Sequence, residues 1–510
     1  VEFTPYSARV MDWVKLERES TTELLEECIP FWEEHGIDRE FGGVICGLSH
    51  TGEALDTSKY TWYQARMSWV FCRMYNEWGR NPKHLQLAEE LATFALQECS
   101  MPSTEDEEDC KQGSKADEEC LRFFEKVPRH GYTRSSPAER EGLQEDHVGY
   151  ASLFVAEALQ ELFRARGGAE TLQTAMGLVR RFVELTTNNP SRNVPEPYLP
   201  GTYTKGTRTV GHTFMPLQIS TQILKQGKPA QDALSKADWD LAHSCATRGC
   251  HHLLHNFFDQ STGLAWEAMA HDLTVLDSQK GFFYLGHAIE AFWFVMDDAV
   301  RRNDSAQVEL ACTRIMRHCS VAWDPLHGGL YRGMNTLSAH GDYATMNDKV
   351  GWVHQEALLA VLMVLLHCKC ATVRAWAQGF WTDLHAWVMD KFPLKKHGYK
   401  LWMVGGERDL QFQEQYSFGG AGLKSRKENY HHPRYLMYAA QIAKKLQAQQ
   451  ADTSTAPPHI AALGTSSAPS SSSSSRSFTA ATCAAYALAA ATGSLGTILF
   501  QHLRGKRNSE

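Results

Sequence analysis

The sequence predicts an all-α fold of helical hairpins closed into a barrel, and three observations carry that expectation. Residues up to about 447 read as helix after helix, with apolar residues three and four positions apart. The connections repeat: DREFGGV begins at Asp38, DQSTGLA at Asp259, DPLHGGLY at Asp324 and DKFPLKKHGYK at Asp390, the last three 65 and 66 residues apart. That period suits two helices and a hairpin-like loop, stacked as an open solenoid or a closed ring. The 14 Trp and 23 Phe favour a closed ring with an aromatic mouth, although a thick ordinary core would use them too.

Taken in order, the periodic segments are 24–35, 62–78, 84–98, 148–166, 170–187, 286–301, 304–321, 348–367, 372–389 and 433–447, separated by short Gly/Asp/Asn-rich connections. Pro433 suits the first turn of the last helix and places His431 and His432 in the loop before it. Residues 103–119 are acidic with Gly and Ser, and are expected to loop out of a 1–447 body. Residues 448–477 are Ala/Ser/Pro-rich and are expected to be disordered. The uncharged stretch 478–500, followed by a basic tail over 501–510, has the length of one membrane span. Its Ala and Thr content makes it a weak span, so a C-terminal anchor and a non-inserting tail both stand.

At 510 residues and 43% hydrophobic, the chain can bury one large domain or two ordinary ones. Its net charge of -8, with no basic run in the folded part, argues against nucleic acid as a partner. The 13 Cys form no CxxC pair and no Cys/His set with zinc spacing, which fits a reducing, cytoplasmic compartment and no metal centre. The N-terminus turns polar at once, so no signal peptide is expected, and a first residue other than Met points to trimming.

Four constellations carry chemistry. Trp62, Arg66, Trp69 and Arg73 share one helix face, which reads either as a surface arginine stacked on tryptophan or as a guanidinium lining an aromatic sugar pocket. In GHAIEAFWF, His287 and Glu290 are three apart, so the carboxylate can hold the imidazole tautomer; a surface His–Glu pair is the plain alternative. In DKVGWVHQEALLAVLM, Lys349, Trp352, Glu356 and Leu359 share a face, making Glu356 a site candidate or half of a helix ion pair with Lys349. His354 points elsewhere, to a supporting or entrance position. In KENYHHPRYLMY, His431 and His432 can reach a mouth, or cap a helix. There is no GxSxG, no HExxH and no dinucleotide fingerprint, and GGAGLKS lacks the ending of a phosphate loop.

Taken together, FWEEHGIDREFGG, KYTWYQARMSWVFCRMY, GHAIEAFWF, WDPLHGGLY, WVHQEALLAVLM and the HxPR ending at His431, Pro433 and Arg434 resemble, in this order, the N-acylglucosamine 2-epimerase family, whose mammalian members are also called renin-binding proteins. The resemblance spans about 30–446 and implies an (α/α)6 barrel. It implies that Arg66 is the site arginine, His287 and His431 the acid/base pair, and Glu290 and Glu356 site glutamates. Trp62, Trp69, His354, Lys427 and Arg434 would then be substrate-binding. Leu285 stands where a proline is usual, and His432 where an apolar residue is. The implied reaction interconverts N-acetyl-D-glucosamine and N-acetyl-D-mannosamine through the open-chain sugar, with no cofactor in the chemistry, a nucleotide such as ATP as activator, and a homodimer. Mannose isomerase or cellobiose 2-epimerase activity on the same fold, and a non-catalytic interaction protein, are the alternatives.

Overall fold

The computed structural model describes residues 11–102, 121–146, 149–188, 206–335, 347–412 and 426–455. Fifteen α-helical segments follow one another among them: α1 (Trp13–Thr22), α2 (Ile29–Phe31), α3 (Thr61–Glu77), α4 (Pro82–Glu98), α5 (Pro137–Glu141), α6 (Tyr150–Arg166), α7 (Ala169–Val183), α8 (Gly211–Lys225), α9 (Lys228–Ala233), α10 (Lys236–His251), α11 (Leu285–Arg301), α12 (Ser305–Ala322), α13 (Gly351–His367), α14 (Ala371–Lys391) and α15 (His431–Thr455). A π-helical turn over Glu23–Cys28 joins α1 to α2, and a second over Trp32–Gly36 extends α2.

Burial sorts the long helices into two rings. In α6, α8, α11 and α13 nearly every residue is buried, whereas α4, α7, α10, α12 and α14 bury one stripe and expose the other. A helix buried all round belongs inside, and an amphipathic one outside. Contacts agree: α3, α6, α8, α11, α13 and α15 touch in sequence, and each packs mainly against one outer helix, α15 against α1. The ring closes where α15 meets α3. There the Trp69 and Tyr430 rings are 5.2 Å apart, the Arg73 guanidinium lies 5.6 Å from the Tyr438 ring, and Asn429 Nδ2 donates to the Tyr63 carbonyl at 3.0 Å.

Inner and outer helices alternate along the chain, so all six inner helices run the same way. Short turns join inner to outer at one end, with α9 interposed between α8 and α10, and long loops lead back to the inner N-termini at the other. Two-stranded antiparallel ribbons form a collar at that end. Lys59–Tyr60 pairs with Lys126–Val127, Arg208–Thr209 with Ala268–Met269, Phe282–Phe283 with Met334–Asn335, and Lys349–Val350 with Gly405–Gly406. One strand of each pair immediately precedes an inner helix, which fixes where that helix starts.

Two of the four Asp motifs, those at Asp38 and Asp324, are turns of one design. Asp38 Oδ1 accepts the N–H groups of Glu40 and Phe41, and Asp324 Oδ1 those of Leu326 and His327. Each motif ends in two glycines at positive φ, Gly42 and Gly43 (79° and 78°), Gly328 and Gly329 (71° and 68°), a region costly for other residues. Each Asp also meets a fully buried lysine from the collar strand before an inner helix and an arginine from the following loop: Asp38 with Lys59 and Arg129, Asp324 with Lys349 and Arg408.

Several expectations change. The helix placed over 348–367 begins at Gly351, because Lys349 is in the collar and pairs with Asp324, not Glu356. The last helix begins at His431, so both histidines are in its first turn; Pro433 is still harmless there, where backbone N–H groups have no helical partner. That helix runs to Thr455, so residues 448–455 are not an unstructured linker. Helices α1, α5, α8, α9 and α10 were not among the periodic segments. The acidic stretch 103–119 and the tail from 456, with the 478–500 segment, lie outside the described residues; Ser100 and Phe123 pair across the base of the former. Among the described residues no helix is long and apolar enough to cross a membrane.

Candidate active site

The mouth formed by the inner N-termini gathers His287 of α11, Trp352 and Glu356 of α13, His431 of α15 and Arg66 of α3. The His287 and His431 rings both lie against the Trp352 indole, at 5.3 and 5.5 Å. They stand two places apart round the ring of six, with Trp352 between them, rather than diametrically opposed. Tyr430 links His431 to the other side: its ring is 5.2 Å from His431 and 5.1 Å from the Arg66 guanidinium.

Each imidazole is held through Nδ1 by a buried carboxylate. His431 Nδ1 lies 2.8 Å from Glu356 Oε1, and His287 Nδ1 lies 2.9 Å from Glu267 Oε1; both glutamates are 1% exposed. An ionised carboxylate can only accept, so Nδ1 carries the proton in each ring and Nε2 the lone pair. Burial pushes the Glu356 carboxyl upward, but the Arg434 charge and the His431 hydrogen bond outweigh it and hold it below the usual range. Trp293 Nε1 donates to its other oxygen at 2.7 Å, so Glu356 is fully engaged.

Arg434 sits behind this pair. Nη2 donates to Glu290 Oε1 at 2.6 Å and to Glu356 Oε1 at 2.7 Å, and Nη1 to Tyr430 Oη at 2.9 Å. Tyr430 Oη in turn donates to Glu157, whose carboxyl burial pushes up. Glu290, Glu356 and His431 bring ligand-type atoms within 4.8 Å of one another, the donor set of a metal site. The guanidinium bridging the two glutamates already supplies the positive charge there, so these residues do not fit a cation as well.

Arg66 contrasts with Arg434. It is half-buried, stacks over Phe154 at 4.1 Å and lies 5.6 Å from Trp62, and makes no ion pair or hydrogen bond with any described residue; its Nε is buried without a partner. A guanidinium held by aromatic faces and in no direct ion pair keeps its N–H groups available for an anion. Glu428, between Arg66 and His431, caps α15 by accepting the N–H groups of Tyr430 (2.8 Å) and His431 (3.0 Å). Burial raises its carboxyl, while His431, Arg66 and those two N–H groups pull it lower overall.

Other expected contacts fall elsewhere. Glu290 serves Arg434, and it is Glu267 that holds His287. Arg434 is 1% exposed and behind His431, so it supports the site from below and has no face for substrate. Trp69 is likewise 1% exposed, under Tyr430, while Trp62 remains at the mouth. His354 is fully buried: Nδ1 donates to the Val350 carbonyl at 2.7 Å, and Nε2 accepts from Leu330 N–H at 2.9 Å, pinning the Asp324 turn. Burial lowers its pKa to about 3. Lys427 is buried against His50, and burial lowers its pKa to about 7. Arg73, deeper on the Arg66 face, pairs with Glu161 at 3.3 Å. Glu267, Tyr430, Glu157 and Glu428 were not picked out from the sequence. Glu267 lies in the DQSTGLAWEAM connection, and its burial in a polar loop is a tertiary fact.

Comparison with known proteins adds the family. The model of the N-acylglucosamine 2-epimerase (GlcNAc 2-epimerase) family matches residues 114–419, a stretch holding His287, Glu267, Glu290 and Glu356. The Bos taurus N-acylglucosamine 2-epimerase is 26% identical over 346 residues, covering 66% of this chain and 73% of that one. The Homo sapiens N-acylglucosamine 2-epimerase is 24% identical over 351 residues, covering 68% and 74%. Among solved structures, the cellobiose 2-epimerase from Bacillus thermoamylovorans B4167 superposes with a TM-score of 0.63 at 16% identity, covering 84% of this chain and 99% of that one, a likeness of fold.

Proposed function

This chain belongs to the N-acylglucosamine 2-epimerase family, and from that premise we propose that it interconverts N-acetyl-D-glucosamine and N-acetyl-D-mannosamine. It is a carbohydrate epimerase. The observation that carries the reading is the pair of carboxylate-tethered imidazoles, His287 and His431, on either side of Trp352, with the unengaged Arg66 across Tyr430.

In the ring-opened sugar, C2 is next to the aldehyde, so its proton is acidic enough for a placed base. One imidazole takes that proton at Nε2, and the C2–H electron pair moves into the C1–C2 bond, leaving negative charge on the C1 oxygen. The other imidazolium returns a proton to the opposite face of C2, and the carbonyl reforms. The sugar is neither oxidised nor reduced. Imidazole suits both steps because its ordinary pKa of about 6.5 is close to neutrality. Arg66 stabilises the enolate oxygen, a preorganised contribution of about 3–4 kcal/mol. The inner helix N-termini, each with the positive end of its dipole at the mouth, act in the same sense. Trp62 forms a wall for the sugar, while Glu267 and Glu356 hold the two rings.

Chemistry without a bound cofactor or metal, nucleotide activation, homodimerisation and the absence of nucleic acid from the partners are part of the proposal on the strength of the resemblance and the acidic charge balance. A cytoplasmic location, with 478–500 as a tether, rests on the scattered thiols and the uncharged length of that segment. Incubation with N-acetylmannosamine in deuterium oxide tests the reaction. We expect N-acetylglucosamine carrying deuterium at C2; epimer without deuterium, or no epimer, overturns it.

A further inference from the structure

Beside the two histidines is a small recess that the mechanism leaves unused. Its walls are Trp352, Trp402 and Met403, and Gln355, Glu428 and His432 supply the polar edge. It has room for a group of methyl or water size. Two of these residues belong to the catalytic surroundings: Trp352 touches both imidazoles, and Glu428 holds the backbone of His431.

Gln355 is the anomaly. It is 2% exposed, its Oε1 is buried without a hydrogen-bond partner, and its carboxamide bonds to no described residue. A buried amide left unmade costs about 1–3 kcal/mol, so such a group calls for a partner that the bare chain does not supply. The residues around it are already committed. His432 Nε2 is 3.1 Å from Glu23 Oε1 and its ring packs on Trp402 at 4.5 Å, while Glu428 Oε1 is taken by two backbone N–H groups. Gln355, one Glu428 oxygen and the buried Trp402 indole N–H are what remain.

We propose that this recess seats the methyl end of the substrate's acylamino group, with Gln355 at its polar edge as the residue that recognises the amide; the proposal rests on the epimerase reading above. The group offers one N–H donor, one carbonyl acceptor and one methyl. The recess offers a carboxamide with both functions, a carboxylate oxygen as acceptor, and walls of Trp352, Trp402 and Met403 for the methyl. Position makes the same demand. The acylamino nitrogen is bonded to the carbon whose proton moves, so its seat has to adjoin a catalytic imidazole, as this recess adjoins His431. A sugar with hydroxyl at C2 would leave the methyl space unfilled.

Saturation-transfer NMR on the full chain with N-acetylmannosamine reads the recess directly, and deuterium incorporation at C2 reads the chemistry in the same samples. The acetyl methyl is expected to receive the strongest saturation of any sugar proton, and mannose to bind more weakly. Gln355→Met, which keeps the length and removes the amide, is expected to raise KM for N-acetylmannosamine about tenfold with a smaller change in kcat. Lengthening the acyl chain to N-butanoyl on the unaltered protein is expected to raise KM at least as much, a measurement independent of any variant's folding. Weak saturation of the methyl, equal binding of mannose, or indifference to both Gln355→Met and chain length overturns the assignment. Deuterium at C2 without methyl saturation sinks the recess and spares the reaction; methyl saturation without deuterium does the reverse.

Discussion

Replacing Glu267 with glutamine leaves an acceptor beside His287 but removes the charge that favours its protonated form, and it lets the amide turn its NH2 toward the ring. We expect kcat to fall about 10²-fold with little change in KM, measured by coupled assay, and a comparable fall for Glu356→Gln. Arg434→Met has a different signature. It strands Glu290 and Glu356 as unpaired carboxylates in the interior, and the expected loss is about 3–5 kcal/mol of stability, read from the urea midpoint. Residue types and motif order pointed to His287, His431, Arg66 and Glu356. What they could not give was depth: Arg434, Lys427, His354 and Trp69 share motifs with mouth residues, yet packing puts each below the reach of solvent. Nor could they give the partner of His287. The glutamate three residues along the helix was the natural candidate from spacing, and the true one comes from a loop twenty residues upstream.

The element that repeats is the Asp turn with its lysine and arginine, and it ties part of the fold's stability to pH. Burial opposes ionisation of Asp38, but the bonds from Arg129 and Lys59 outweigh it and bring its pKa to about 2. Its folded value lies below the unfolded value of about 3.9, so the native state favours the ionised form. The resulting stability, about 2 kcal/mol, is present above pH 4 and drains away as pH falls toward 2. Thermal midpoints measured from pH 6 to 2 are expected to fall steeply for the natural chain; Asp38→Asn should start lower and show a shallower slope. The turn itself was legible because Asp and twin glycines are local chemistry. The lysine was not: Lys349 looked like a helix residue in register with Glu356, and only the pairing of Lys349–Val350 with Gly405–Gly406 moves it into the collar. Helix α8 escaped for the converse reason: it is buried on all sides with His212, Gln218, Ser220, Thr221 and Gln222 among its buried residues, and it carries Pro216, so its sequence shows no apolar stripe.

At the scale of the molecule, the ring of α3, α6, α8, α11, α13 and α15 with its outer partners is complete by Thr455. Deleting residues 456–510 is therefore expected to leave the calorimetric transition and the epimerase rate within experimental error of the full chain, while ending the chain before Tyr430 abolishes both. The period of the Asp motifs announced helical hairpins, but whether they close was not written in any one of them. Closure depends on Trp69, Arg73 and Asn429 meeting partners at the far end of the sequence. That closure has a consequence for biosynthesis. The last inner helix carries His431 in its first turn, and it leaves the ribosome after every other part of the ring. On the proposed mechanism, a chain that has not yet added this helix lacks one imidazole of the pair, so closing the ring and completing the pair are the same event. The seam that completes the shape also completes the pair.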